Sequence, residues 1–314
     1  MEYRIYPLED QSRLEEICAL FAKGLADTIP EYWKWKHFSE NGQPEGMILV
    51  AEAEDGSFAG MFALQPECYI RGDCRITVVQ NEDLVIDPAH RGTGLMKRIY
   101  RYAREYYRQQ GAVGSISFCN MASYPIFLKY GAQDRGDIYT YNTAKKLLPI
   151  YSGKCYWKKG EWEIQFGDRM PDDLFYPVNE EAWQLCKNDA FMRWKFVSNP
   201  DGPFQWLTIR NDGKLMGYMV VKISQGKFRR AVNIYDWALQ DDLPDEMLKA
   251  AVKLLHTHGN WLSLWGRYSD CVLSRWARAG LTQKNNRGTH FVLDTFGDIP
   301  MPDNWQVTRA DLDY

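Results

Sequence analysis

The chain has 314 residues, 45% hydrophobic and 25% charged, with a net charge of −3. That length favours two domains, and the composition is that of a globular protein able to build cores. The small negative charge excludes the strongly basic surface of a duplex nucleic-acid binder, and no run of about 18 apolar residues offers a membrane span.

The N-terminus, MEYRIYPLEDQSRLEE, carries charges where a signal peptide needs an apolar stretch, so a cytoplasmic location is expected. Leu14, Ile17, Cys18 and Phe21 then give one helical face. After the segment WKWKHFSENG, the stretch ILVAEAEDGSFAGMFAL alternates around a DG pair and predicts a hairpin. A central strand, NEDLVI, runs into DPAHRGTG and a helix with Leu95, Ile99, Tyr102, Ala103 and Tyr106 on one face. Ser115 to Phe118 reads as a short strand, and Tyr124 to Tyr130 as a short helix ended by Gly131. The seven cysteines are scattered, with no CxxC pair, so neither a disulfide framework nor a metal site is expected. The five histidines show no metal-ligand spacing either.

The second half repeats this order. Trp35 and Lys36 fall on Trp194 and Lys195, Gly60 on Gly217, Asp83 on Asp236 and Gly131 on Gly280. Such ordered landmarks predict a duplicated α/β domain. The expected divisions are 1–145, a linker over 146–160, and 161–314.

The turn DPAHRGTG between a strand and a helix aims several backbone amides at one spot. The first four amides of a helix have no internal partner, and its dipole adds positive potential. Glycines let phosphate oxygens approach the bare backbone, so a pyrophosphate suits the place. The alternative is a glycine turn with no ligand. The pattern is neither a Walker loop nor a full GxGxxG.

Arg91-Gly92-Thr93-Gly94-Leu95-Met96 after a central strand, with Asn120 and Gly131 downstream, resembles the GNAT N-acetyltransferases. The motif-level resemblance covers about Gln80 to Gly131, and topology extends it over both halves. It implies two tandem GNAT-like domains, each a mixed, mostly antiparallel sheet flanked by helices. It also implies acetyl-CoA as cosubstrate, its pyrophosphate on the amides of Gly92 to Met96 and its pantetheine arm against Leu84, Val85 and Ile86. Arg91, Thr93, Leu95, Asn120 and Phe127 complete the implied cofactor contacts. Met96 departs from the family's small last residue. Phe127 stands where many members carry a tyrosine that protonates the leaving thiolate, so Tyr124, one turn earlier, or solvent must take that role.

Amide formation needs an unprotonated amine, so Glu82 or Asp83 is a candidate general base. Strand alternation puts their side chains on opposite faces, with one in the cleft. The second half has no RGTG; Asp241, Asp242, Asp245 and Glu246 occupy its helix entry and would repel a pyrophosphate. One cofactor site, in the first half, is therefore expected, with a small-molecule amine as acceptor. The C-terminal MPDNWQVTRADLDY hints at an amino sugar by analogy with tandem GNAT proteins. The rival readings are an aminoacyl-tRNA-dependent transferase-like protein on the same scaffold, and a non-catalytic CoA-binding or scaffold protein.

Overall fold

The computed structural model describes residues 2–38, 46–144, 151–226, 229–297 and 303–311. The chain divides into two units, Met1–Gly136 with Thr289–Asp303, and Asp137–Gly288 with Asn304–Tyr314.

In the first unit, β1 (Arg4–Pro7), β2 (Met47–Glu52), β3 (Phe58–Arg71) and β4 (Cys74–Ile86) run antiparallel in that order. Next comes β5 (Gly114–Cys119), parallel to β4, and the segment His290–Thr295 pairs antiparallel with β5. The DG pair forms the expected hairpin turn, with Gly56 at φ 84, a conformation that disfavours a side chain. Helices α1 (Leu14–Gly24), α2 (Pro30–His37), α3 (Leu95–Gln109) and α4 (Tyr124–Lys129) flank the sheet.

Helix α3 buries Leu95, Ile99, Tyr100, Ala103 and Tyr107. The expected face was rotated, because Tyr102 is exposed and Tyr106 only half-buried. Four tyrosines in this helix satisfy two overlapping stripes, and a polar contact decides between them. Tyr100 Oη donates to the buried carboxylate of Asp294 at 2.8 Å, which fixes the rotation.

The second unit repeats the plan. Its strands are β6 (Gln133–Ala144, counted from Asp137), β7 (Tyr156–Lys159), β8 (Trp162–Gly167), β9 (Gln184–Leu185), β10 (Gln205–Asn211), β11 (Lys214–Gln225), β12 (Arg230–Leu239) and β13 (Trp261–Arg267). The ladder runs β7, β8, β10, β11 and β12 antiparallel, then β13 parallel to β12, then Tyr139–Ala144 antiparallel to β13. Helices α5 (Asp189–Met192), α6 (Asp245–Leu255) and α7 (Asp270–Ala279) accompany it, with a π-helical turn over Arg193–Val197.

The α/β architecture in two similar units agrees with the sequence; the boundaries differ. Tyr139–Ala144 follows α4 in the chain yet pairs within the second unit, and His290–Thr295 follows α7 yet pairs with β5 of the first. A division at 145 and 161 separates both strands from their ladders. The physical reason is that local sequence specifies a strand's alternation and not its hydrogen-bonding partner. Part of the expected linker, Tyr156–Lys159, is a strand, and residues 146–150 lie outside the described residues.

Candidate active site

Strands β4 and β5 pair in parallel from Val78–Asn81 against Gly114–Ser117, and there the ladder ends. Strand β4 continues against β3 alone, with Leu84 opposite Phe62, Val85 opposite Met61 and Ile86 opposite Gly60. A bulge causes the divergence: Asn81 faces Leu64 and Leu84 faces Phe62, so Glu82 and Asp83 together oppose Ala63. Beyond it, no strand among the described residues pairs with Leu84 to Ile86 on the β5 side, and such an edge accepts an extended ligand by strand addition.

The same strand delivers the chain to the glycine turn. Lys23 pairs with Asp87 at 2.7 Å, and Asp87 Oδ1 accepts the Ala89 amide at 2.9 Å; the Lys23 contact first, then the amide, holds its carboxyl below the usual range. Arg91 Nε donates to the Ile86 carbonyl at 3.3 Å, and Thr93 Oγ1 donates to the His90 carbonyl at 2.8 Å. These two side chains therefore fold the turn. Gly92 and Gly94 both have φ 78, and a Cβ at either would meet nothing within 4 Å, so the space above the turn is open. Gly94 is the N-cap of α3 and its carbonyl accepts the Arg98 amide at 3.3 Å. No side chain caps this helix start and its first turn carries no acid. The amides at the head of a 15-residue helix thus remain available to an anion. Leu95 is buried beneath the turn and Met96 half-buried, so the departure from a small residue leaves the amides in place.

Glu82 and Asp83 do not separate to opposite faces, because the bulge breaks the alternation. Both reach the ammonium of Lys36 on α2, Glu82 at 3.3 Å and Asp83 at 3.0 Å. The Lys36 side chain is 2% exposed and that of Glu82 5%, whereas Asp83 keeps 21%. His37, stacked on Trp33 and fully buried, lies 3.6 Å from Glu82; burial, then the charge of Lys36, pushes its pKa well down, so it is neutral. Of the two carboxylates, Asp83 is the one within reach of solvent. Sequence reasoning had used Lys36 only as a landmark of the repeat. Its signal was available in the second copy, where Lys195 is also buried.

The downstream segment splits. Asn120 turns its amide oxygen to the backbone amides of Ala122 and Ser123 at 2.9 and 3.0 Å, shaping the entry to α4. Tyr124 Oη donates to Asp134 at 2.7 Å, with its ring stacked 4.1 Å from His290. Phe127 is a core residue set edge-on to Tyr100. Cys119 is buried, and burial pushes its thiol up to about 12, so it is no thiolate nucleophile at neutral pH.

In the second unit β12 and β13 also part after Ile234 and Leu264, next to a matching irregularity. Asp236, fully buried, pairs with Lys187 at 2.5 Å. There α6 starts at Pro244 with Asp245 and Glu246 in its first turn.

Residues 14–132 match the family model "Acetyltransferase (GNAT) family". That match lies within the first unit, and the two-unit chain has the tandem form of the GNAT fold. No curated protein is matched by the sequence. Among solved structures, a GCN5-related N-acetyltransferase of Anabaena variabilis is similar, with 14% identity, TM-score 0.66, and 94% of this chain and 73% of that one covered. A tandem GNAT protein from the clavulanic acid biosynthesis pathway shares 14% identity at TM-score 0.61, over 95% of this chain and 100% of that one. N-myristoyltransferase of Saccharomyces cerevisiae, solved with bound myristoyl-CoA, shares 8% identity at TM-score 0.60, over 93% and 82%. At these identities the likeness is one of fold. Among the described residues no helix is long and apolar enough to cross a membrane.

Proposed function

We propose that the first unit transfers an acetyl group from acetyl-CoA to a primary amine of a small molecule by direct attack. The observation that carries this reading is the uncapped glycine turn at the head of α3, placed where β4 parts from β5. The residues present fit the cosubstrate: amides of Gly92 to Met96 for the pyrophosphate, and the edge of Leu84 to Ile86 beyond the β5 ladder for the pantetheine arm. Arg91 and Thr93 act by holding the turn, and Asn120 by shaping the α4 entry. When bound, acetyl-CoA supplies the thioester.

Asp83 is the better placed of the two carboxylates to receive a proton from the amine, directly or through water, because its side chain keeps solvent access. Lys36 pairs with both carboxylates and holds them together. Glu82, buried beside Lys36 and His37, anchors the array. The β4 edge amides are oriented donors for an oxyanion, a contribution worth about 3–4 kcal/mol in favourable cases. Tyr124 spends its hydroxyl proton on Asp134, so solvent is the simpler acid for the departing thiolate. An amino sugar remains the acceptor class we would screen first.

Calorimetric titration with acetyl-CoA tests the reading. One site per chain is expected, lost in Gly94→Glu, together with thiol release on adding an amine. Saturable binding without turnover over a broad amine panel would favour a non-catalytic CoA-binding protein. Absence of binding would defeat the proposal and leave the aminoacyl-transfer scaffold as the reading to pursue.

A further inference from the structure

The second unit carries a cavity of about 400 Å³ along one side of α6, within the range of about 300–1,000 Å³ that small-molecule sites occupy. Four ammonium groups line it, those of Lys154, Lys159, Lys249 and Lys253. Among the described residues none of the four has a carboxylate within ion-pairing distance, and Glu246 is the one acid on the lining. The floor is apolar, built from Met247, Ala250 and Leu254, with the half-buried indole of Trp157 on the strand side.

This arrangement is specific to one face of each element. On β7, alternation sends Trp157 and Lys159 to the cavity and Lys158 away from it, where Lys158 pairs with Glu163 at 2.5 Å. On α6, Lys249 and Lys253 stand one turn apart, a like-charge pair that costs a few tenths of a kcal/mol in an isolated helix, roughly 0.2–0.5. The helix dipole accounts for Lys253, in the last turn, and not for Lys249. Lys154 is fixed at the rim by its main chain. Its amide donates to Thr257 Oγ1 at 3.0 Å, and His258, which burial keeps neutral, donates from Nε2 to its carbonyl at 2.8 Å.

From this geometry we infer that the α6 cavity binds a phosphorylated small molecule with a planar ring, of the size of a nucleoside diphosphate. The phosphates lie among the four lysines, which serve as mobile point charges. The ring lies on the side of the half-buried Trp157, above the apolar floor. The site is separate from the glycine turn of the first unit and does not depend on the function proposed for it.

The test is titration of the full-length chain carrying Gly94→Glu, so that the glycine turn is closed to phosphates, with ADP, pyrophosphate and adenosine as probes. One ADP site is expected, weakened by raised salt, with adenosine silent and pyrophosphate weaker than ADP. Charge reversal at Lys249→Glu/Lys253→Glu should weaken ADP at least about tenfold, equivalent to roughly 1.4 kcal/mol. Lys158→Gln, on the opposite face of the same strand, should leave it unchanged. Far-ultraviolet circular dichroism of the double variant checks that α6 is intact. No saturable ADP binding, or unchanged affinity in the double variant, would overturn the site. Equal binding of pyrophosphate and ADP would overturn the place given to the ring.

Discussion

The two units use one plan and end their central strands differently. After β4 the chain passes through Gly92 and Gly94, both at φ 78, into a helix with no capping side chain and no acid in its first turn. After β12 it passes through Leu243 and Pro244 into a helix that opens on Asp245 and Glu246. Both helices need their orphan amides satisfied. The second has no side-chain cap either, but it places the negative charge of Asp245 and Glu246 at that positive end. The first leaves the amides open and free of nearby acid, and such a helix head is where an anionic ligand gains most.

Gly94→Glu gives the first helix the electrostatics of the second, and this is the largest expected effect. The carboxylate would occupy the amides, and a side chain at φ 78 adds strain of about 1–2 kcal/mol. Acetyl-CoA affinity should fall by about a hundredfold or more, roughly 2.8 kcal/mol, read by calorimetry. Retained affinity would mean that the two helix starts do not differ in the way argued.

A second contrast lies in the buried lysines of the repeat. Lys36 is shared by Glu82 and Asp83, whereas Asp236 has Lys187 at 2.5 Å with Lys195 also buried. Removing one partner of a buried ion pair leaves an uncompensated charge, at a cost of about 3–5 kcal/mol. Lys36→Met should therefore destabilise by that amount, measured by urea denaturation. Lys195→Met should cost less, because Asp236 keeps Lys187. Equal losses would show that the two lysines do the same work.

A third prediction concerns pH and the second unit alone. Asp311 is fully buried, its Oδ2 accepting the Thr308 amide at 2.7 Å, and burial raises its carboxyl to about 6 from 3.8, against the opposing pull of Lys187. A carboxyl raised on folding binds its proton more tightly in the folded chain. Its stabilising contribution is thus complete below 3.8 and is lost as pH rises through about 6. Asp311→Asn removes that slope. The stability of wild type relative to the variant should fall by about 2–3 kcal/mol between pH 4 and pH 7, read from denaturation at each pH. A flat difference would mean that Asp311 is not carrying a displaced proton.

How much of this was legible in the sequence follows from which forces are local. The hairpins at Asp55-Gly56 and Asp212-Gly213, the glycine turn and the acidic start of α6 are written in neighbouring residues, and the structure has all of them. The exchange of Tyr139–Ala144 and His290–Thr295 between sheets was not legible, because ladder partners are set by tertiary fit. The grouping of Glu82 with Asp83 was hidden by a bulge that alternation cannot foresee. Phe127 was read from a motif position, and its contact with Tyr100 depends on the rotation of α3, fixed in turn by the distant Asp294. Lys36 was visible twice, as a repeated dipeptide, but the repeat named a position and not a partner.

The smallest expected effect sharpens the opening contrast from the other side. Asp245 sits at the head of α6, paired with Arg275 at 3.3 Å and with Arg278, and the Arg278 contact above all holds its carboxyl below the usual range. The side chain is 38% exposed, so solvent screens these pairs and their worth is discounted. Asp245→Ala should cost about 0.5–1 kcal/mol, from the lost pairs and the lost charge at the positive end of the helix. In a thermal melt that is a shift of about 1–3 °C for a domain of this size. Acetyl-CoA affinity should not move, since this helix start still carries Glu246 and has no glycine turn. A severalfold change in that affinity would mean that the second helix head takes part in cofactor binding, and the division of labour between the two units would have to be redrawn.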